Sequence, residues 1–142
     1  MPWGAVATGL YNLAIADTGT GGLFNVSSPL ITGWYTGEAL QNAEWPYVCC
    51  TLSADSENDV FAPAPQAIET FFQFGVYSNA ELGQTVNDAI QARIRTVFRR
   101  VAPTVAGYTA FPIMFDGMVF NQRVDRVIYS AVQASVFVSS ST

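Results

Sequence analysis

Between Ala67 and Pro103 the hydrophobic period changes from two to that of an α-helix, and this switch constrains the fold more than any other feature of the chain. Ile68, Thr70, Phe72, Phe74 and Val76 alternate with Glu69, Phe71, Gln73, Gly75 and Tyr77, the pattern of a strand that buries its first set and half-covers its second. Ser78-Asn79-Ala80-Glu81 follows with capping-box spacing: a hydroxyl able to accept from first-turn amides and a carboxylate three residues on, able to reach back. This spacing predicts a helix beginning there. Leu82, Val86, Ala89, Ile90, Ile94, Val97 and Val101 recur on one stripe until Pro103 stops it. Glu81 near its positive end and Arg99-Arg100 near its negative end suit the helix dipole.

The flanking segments add the remaining elements. Trp3 to Ala16 carries Val6, Leu10, Leu13 and Ala14 at helical spacing after Pro2, and Asp17 with the Thr18 to Gly22 stretch closes that helix. Leu30 to Tyr35 has the branched and aromatic content of a short strand ending at Thr36-Gly37. Trp45 to Leu52 reads as a second strand, with Pro46 near its start, where a missing ladder donor costs least. Ser53 to Gln66 turns to Ser, Asp, Glu, Asn and Ala with Pro63 and Pro65, and is expected to be a mobile acidic loop or an extended arm. Ile113 to Gln122 is β-like, and Asp116-Gly117 within it is read as a bulge because the flanks are short for an independent hairpin. Val127 to Val138 is a last strand, with Ile128, Val132, Ala134, Val136 and Val138 on one face and Tyr129, Gln133 and Ser135 on the other. The order describes an α+β fold: an antiparallel β-sheet with an N-terminal helix and one long helix packed on one face. At 142 residues the chain is expected to form a single domain over 1–142, with the acidic loop at 53–66.

Composition narrows the function. The chain has no His, and its six basic residues are all Arg, so it lacks the commonest general base, metal ligand and Schiff-base nucleophile. No catalytic residue, metal site or cofactor is expected. A carboxylate-only enzyme would need Asp or Glu to supply both acid and base. A net charge of −5 disfavours a binder of nucleic-acid phosphates. No apolar run is long enough for a transmembrane helix, and the N-terminus lacks the pattern of a signal peptide. Only 12% of residues are charged against about 25% in ordinary soluble domains, so much of the surface is expected to be covered by other chains.

Individual clusters are weighed on that background. Adjacent Cys49 and Cys50 point to opposite faces of a strand and are expected to be reduced, small apolar residues. Asp55, Glu57 and Asp59 alternate, but the Gly and terminal Glu of a calcium loop are missing, and a solvated acidic loop is the plainer reading. Gly19-Thr20-Gly21-Gly22 has no preceding strand and reads as a flexible turn. Arg93, Arg95, Arg99 and Arg100 lie on the polar side of the long helix, either as a solvated face or as a basic stripe for nucleic acid or for acidic groups of a neighbouring chain. Trp3, Trp34, Trp45, Phe71, Tyr77 and Tyr108 are candidate inter-subunit anchors, with core packing an equal alternative for each.

The order of elements resembles that of the tail terminator, or tail completion, proteins of tailed bacteriophages. The likeness covers nearly the whole chain. It rests on the N-terminal helix with Leu10 and Leu13, the Gly-rich connection, the strand opened by Pro46-Tyr47-Val48, the strand around Phe72 and Phe74, the long helix from Ala80 and the final strand from Val127. The resemblance implies a non-catalytic virion subunit at the head–tail junction, assembled in the host cytoplasm. It implies a hexameric ring of identical chains that caps the head-proximal end of the tail tube, ends tube growth and offers a face to neck or connector proteins. DNA would pass through the lumen without specific binding, with Asp55, Glu57 and Asp59 as lumen-facing or partner-contacting groups and no membrane involved. A head-to-tail connector subunit, stopper or adaptor, is the nearest alternative. A small monomeric domain with a ligand pocket between helix and sheet is another.

Overall fold

The computed structural model describes residues 3–58, 67–81 and 83–140; at 54–58, 67, 117–120 and 140 it describes the backbone alone. The elements run α1 (Trp3–Ile15), β1 (Gly33–Thr36), β2 (Tyr47–Asn58), β3 (Ala67–Asn79), α2 (Gln84–Phe98), β4 (Tyr108–Ala110), β5 (Met114–Val124) and β6 (Val127–Ser140). The six strands form one sheet in the order β1-β2-β3-β6-β4, with β5 also on β6. Strands β4 and β5 share one side of β6, β4 opposite Val138 to Ser140 and β5 opposite Val127 to Ser135. Both helices cover a single face, so the α+β architecture expected from the sequence holds. The sheet is mixed rather than wholly antiparallel, because β1 runs parallel to β2 with Trp34 opposite Val48.

The period-two reading of Ala67 to Tyr77 fits the burial closely. Ile68, Thr70, Phe72, Phe74 and Val76 are all buried, and so are Ile128, Val132, Ala134, Val136 and Val138 of β6. Their register, Phe72 opposite Ala134 and Phe74 opposite Val132, brings these rows onto one side, beneath the helices. Phe74 is the hub, with ring centroids 4.8 Å from Phe98, 5.3 Å from Phe72 and 5.6 Å from Trp34. From α1, Val6, Leu10 and Ala14 enter the same cluster. Gly9 lets α1 approach the chain after α2, since a Cβ there would sit 2.5 Å from the Thr104 carbonyl oxygen.

Several local readings differ. The capping box does not form: Ser78 is buried in β3 opposite Ile128, and α2 begins later, at Gln84, behind Gly83 at φ 83. Ser78 instead donates from Oγ to Asn87 Oδ1. The buried stripe of α2 is Asn87, Ile90, Gln91, Ile94 and Phe98, with Ala89 exposed; Leu82 lies outside the described residues. The helix ends at Phe98 rather than at Pro103, because Arg100 takes a left-handed φ of 59 and its N–H turns to the Ile113 carbonyl. The acidic loop is shorter than expected. Ser53 to Asn58 continue β2, with Glu57 opposite Ile68 and Asn58 opposite Ala67 after a shift between Leu52 and Ala54. Positions 59–66, Asp59 among them, lie outside the described residues. The β5 ladder shifts between Phe115 and Val119, which is the bulge expected at Asp116-Gly117.

Candidate functional site

Beneath α2 the sheet meets a polar set that apolar counting passes over. Asn87 Nδ2 donates to the carbonyls of Val76 and Ile128, both at 3.2 Å, and to Ser130 Oγ at 3.4 Å. Gln91, one turn on, donates from Nε2 to the Phe74 carbonyl at 3.3 Å and to the Ser130 carbonyl at 3.2 Å. Helix and strands are thus joined by hydrogen bonds where a ligand pocket between them would have to open. This region holds together the fold and presents no chemistry to a substrate.

The arginines do not form one stripe. Arg93 is engaged inside the chain, donating from Nε to Asp17 Oδ2 at 2.8 Å and from Nη2 to Asp17 Oδ1. Asp17 also accepts from the Leu23 N–H at 2.8 Å, so one carboxylate ties α2 to the turn after α1. Arg95 lies over the Phe115 ring, 5.9 Å from its centroid. Arg99 and Arg100 are exposed beyond the end of α2 and remain available to a partner. The hydrogen bond from Arg93 holds the Asp17 carboxyl below its ordinary value. A lowered folded-state pKa contributes stability that is full above the unfolded value near 3.8 and is lost as pH falls through the folded value. Asp17→Asn should cost about 1–2 kcal/mol at neutral pH for this partly exposed pair. It should also flatten the acid limb of stability below about pH 4, read from urea midpoints as a function of pH.

The face of the sheet that carries no helix holds an aromatic row. Tyr47, Tyr77 and Tyr129 stand opposite one another across β2, β3 and β6, with centroid separations of 5.2 and 4.7 Å. Trp45 stacks on Tyr47 at 5.2 Å and Tyr35 meets it edge-on at 5.8 Å. Two glycines let the rings lie down on the backbone: a Cβ at Gly75 would be 3.0 Å from the Tyr129 ring, and one at Gly33 would be 2.8 Å from the Tyr35 hydroxyl. Burial raises the pKa values of Tyr47 and Tyr129, and with the neighbouring Tyr129 pushes Tyr77 up to about 12. Cys49 lies on this face opposite Gly75, while Cys50 opposite Phe74 is in the core. Both thiols are free, as the sequence leads one to expect, and burial raises the pKa of each. At the other end of the face Phe111, Pro112, Met114 and Phe137 line an apolar depression.

The proposed anchors therefore divide. Trp34 packs in the core, 5.6 Å from Phe98, and offers no surface. Trp3 is half-buried, 6.1 Å from Phe72; Phe71 and Tyr108 are half-buried. Trp45, 37% exposed, and Tyr77 belong to the aromatic row. Sequence reasoning missed Tyr35, Tyr47 and Tyr129, which become neighbours only through strand register. It also missed Asp17, Asn87 and Gln91. Among the described residues no three Cys, Asp or Glu side chains gather as metal ligands would, and no helix there is long and apolar enough to cross a membrane.

No family model matches the sequence, and no curated protein matches it significantly. Among solved structures, the fold is similar to that of a chain in the virion of a native gene transfer agent particle. The TM-score is 0.71, the identity 13%, and the alignment covers 98% of each chain.

Proposed function

We propose that this chain is a non-catalytic virion subunit that forms a ring, hexameric by resemblance to the tail terminators, on the head-proximal end of a phage-type tail tube. There it ends tube growth and joins the tail to neck or connector proteins. The observation that carries the proposal is the likeness in fold, end to end, to a chain of a gene transfer agent virion. The sparse charge of the chain supports a surface mostly covered in an assembly.

Ring closure requires heterologous contacts, in which different patches of one chain meet. The sheet supplies suitable edges: β1 covers only Tyr47 to Cys50 of β2, and β5 flanks the opposite side on β6. In this reading the acidic segment of the sequence that carries Asp55, Glu57 and Asp59 faces the lumen and repels DNA phosphates, so that DNA passes without binding. Arg99 and Arg100, exposed beyond the end of α2, remain for neighbouring subunits. The sheet-dominated fold favours a terminator over a mainly helical adaptor. The hydrogen-bonded seam under α2 closes the space beneath that helix to a ligand.

Tail length tests the proposal. Particles lacking the chain should carry overlong tails unattached to heads. Tails of normal length that fail to attach would instead indicate a connector.

A further inference from the structure

Charge is scarce in this chain, and it is segregated. All six basic residues lie at Arg93 or later, so nothing before that position offsets Glu38, Glu44 or the acids that follow them. The fold turns this bias along the sequence into two unlike edges. The sheet starts at β1 and finishes, beyond β6, with β4 and β5. Beside β1 the 37–46 connection exposes Glu38 and Glu44, together with Leu40 and Trp45, 65% and 37% exposed. It is tied to that edge at both ends: the Gly37 N–H donates to the Cys50 carbonyl, and Thr32 Oγ1 donates to the Glu44 carbonyl.

The opposite edge is basic. Arg93 is held by Asp17, and the remaining arginines line β5. Arg95 lies over Phe115. Arg100, next to Arg99, donates its N–H to the carbonyl of Ile113, just before the strand. Arg123 and Arg126 flank the turn from β5 to β6, both exposed. Asp116 and Asp125 share this edge, and the arginines outnumber them. Met114 and Val124, at the two ends of β5, are 55% and 57% exposed.

We propose that a second copy of this chain docks edge to edge, the acidic β1 edge of one copy against the basic β5 edge of the next. Charge complementarity identifies the occupant. Each edge repels its own kind, so neither is suited to pairing with itself across a two-fold axis, and the chain carries the matching sign on its other side. Strand β5 also lacks a partner on its outer side among the described residues, since β6 is the strand it pairs with, and such an edge invites another chain. Patches at opposite ends of one sheet give each copy two neighbours through one heterologous contact, the kind from which rings close. DNA suits the basic edge less well: exposed Met114 and Val124 and the two aspartates interrupt it, and the chain as a whole carries a net charge of −5. The inference rests on the ring reading above and specifies its contact.

The test reverses one edge at a time in the full chain. Glu38→Arg with Glu44→Arg alters the acidic edge, and Arg123→Glu with Arg126→Glu the basic one. Arg99→Glu with Arg100→Glu is a second basic-edge variant, and Asp88→Arg, at an exposed position of α2, is the control; circular dichroism establishes that each is folded. Light scattering should find wild type and Asp88→Arg assembled, with each edge variant needing at least tenfold higher concentration. Added salt should weaken wild-type assembly. Mixing the acidic-edge variant with the Arg123→Glu, Arg126→Glu variant should restore assembly, because in an alternating ring every edge again meets the opposite sign. Assembly indifferent to both reversals would overturn the edge contact and leave the ring reading standing. Loss without rescue on mixing would overturn the pairing of these two edges, and an equal loss in Asp88→Arg would trace the effect to net charge and overturn it as well. Wild type that remains monomeric, or that holds DNA through Arg123 and Arg126, would overturn the second copy as occupant, and tail length then still tests the capping role separately.

Discussion

Phe74→Ala is expected to destabilise the fold by about 4 kcal/mol, within the usual cost of truncating a buried Phe. Phe74 is fully buried, and its ring is shared by Phe98 from α2, Trp34 from β1, Phe72 from β3 and Phe115 from β5. Those neighbours are anchored on four different elements, so they cannot collapse together into the vacated volume, and the cavity term should be near its full value. For a chain of this length the melting temperature should fall by roughly 15 °C. Phe74→Leu, which keeps most of the volume, should recover more than half of the loss. Thermal unfolding followed by near-ultraviolet circular dichroism reads both. A loss below about 1 kcal/mol would mean that the aromatic cluster is not the centre of the core.

Asn87→Leu is expected to cost about 3 kcal/mol although leucine is the better helix former and the more apolar residue. The amide of Asn87 accepts from Ser78 and donates to two strand carbonyls and to Ser130. Leucine takes from the Ser78 hydroxyl its acceptor and from the Val76 and Ile128 carbonyls the donor that Asn87 supplies, and buried polar groups carry a desolvation penalty when unpaired; Ser130 Oγ still accepts from Gln91 Nε2 at 3.2 Å. The cost should therefore shrink when the orphaned hydroxyl is removed as well. The double variant Asn87→Leu, Ser78→Ala is expected to be about 1 kcal/mol more stable than Asn87→Leu alone, measured by urea unfolding. Additive losses across the two substitutions would show that Asn87 and Ser78 are not coupled.

The same two sites show how far the fold can be read from the sequence. Strands β3 and β6 are legible because a strand with one buried face announces it by alternation, and the packing of that face is independent of which strand lies beside it. The inner stripe of α2 is harder to read. Two of its five buried residues, Asn87 and Gln91, are polar and are buried because the sheet offers them carbonyls, so counting apolar residues rotates the stripe toward Ala89 and Val97. Ser78 carries a valid capping pattern, but pairing of β3 with β6 out to Asn79 opposite Val127 keeps that segment extended. The second half of β2 has loop composition and is drawn into the sheet by its ladder with β3. The direction of β1 has no local signal. The aromatic row is a consequence of register: Tyr47, Tyr77 and Tyr129 are 30 and 52 residues apart in sequence and meet only once three strands are aligned. The scarcity of charge, visible at once in the composition, turns out to be concentrated on the helix-free face.

Imaging the purified chain with tail tubes in negative stain, alongside its solution mass by light scattering, shows whether the chain forms a ring that caps tail tubes. A closed ring, in solution or on tube contact, seated at the head-proximal end of each tube is the expected result. A chain that stays monomeric and leaves both ends of the tubes bare would contradict it.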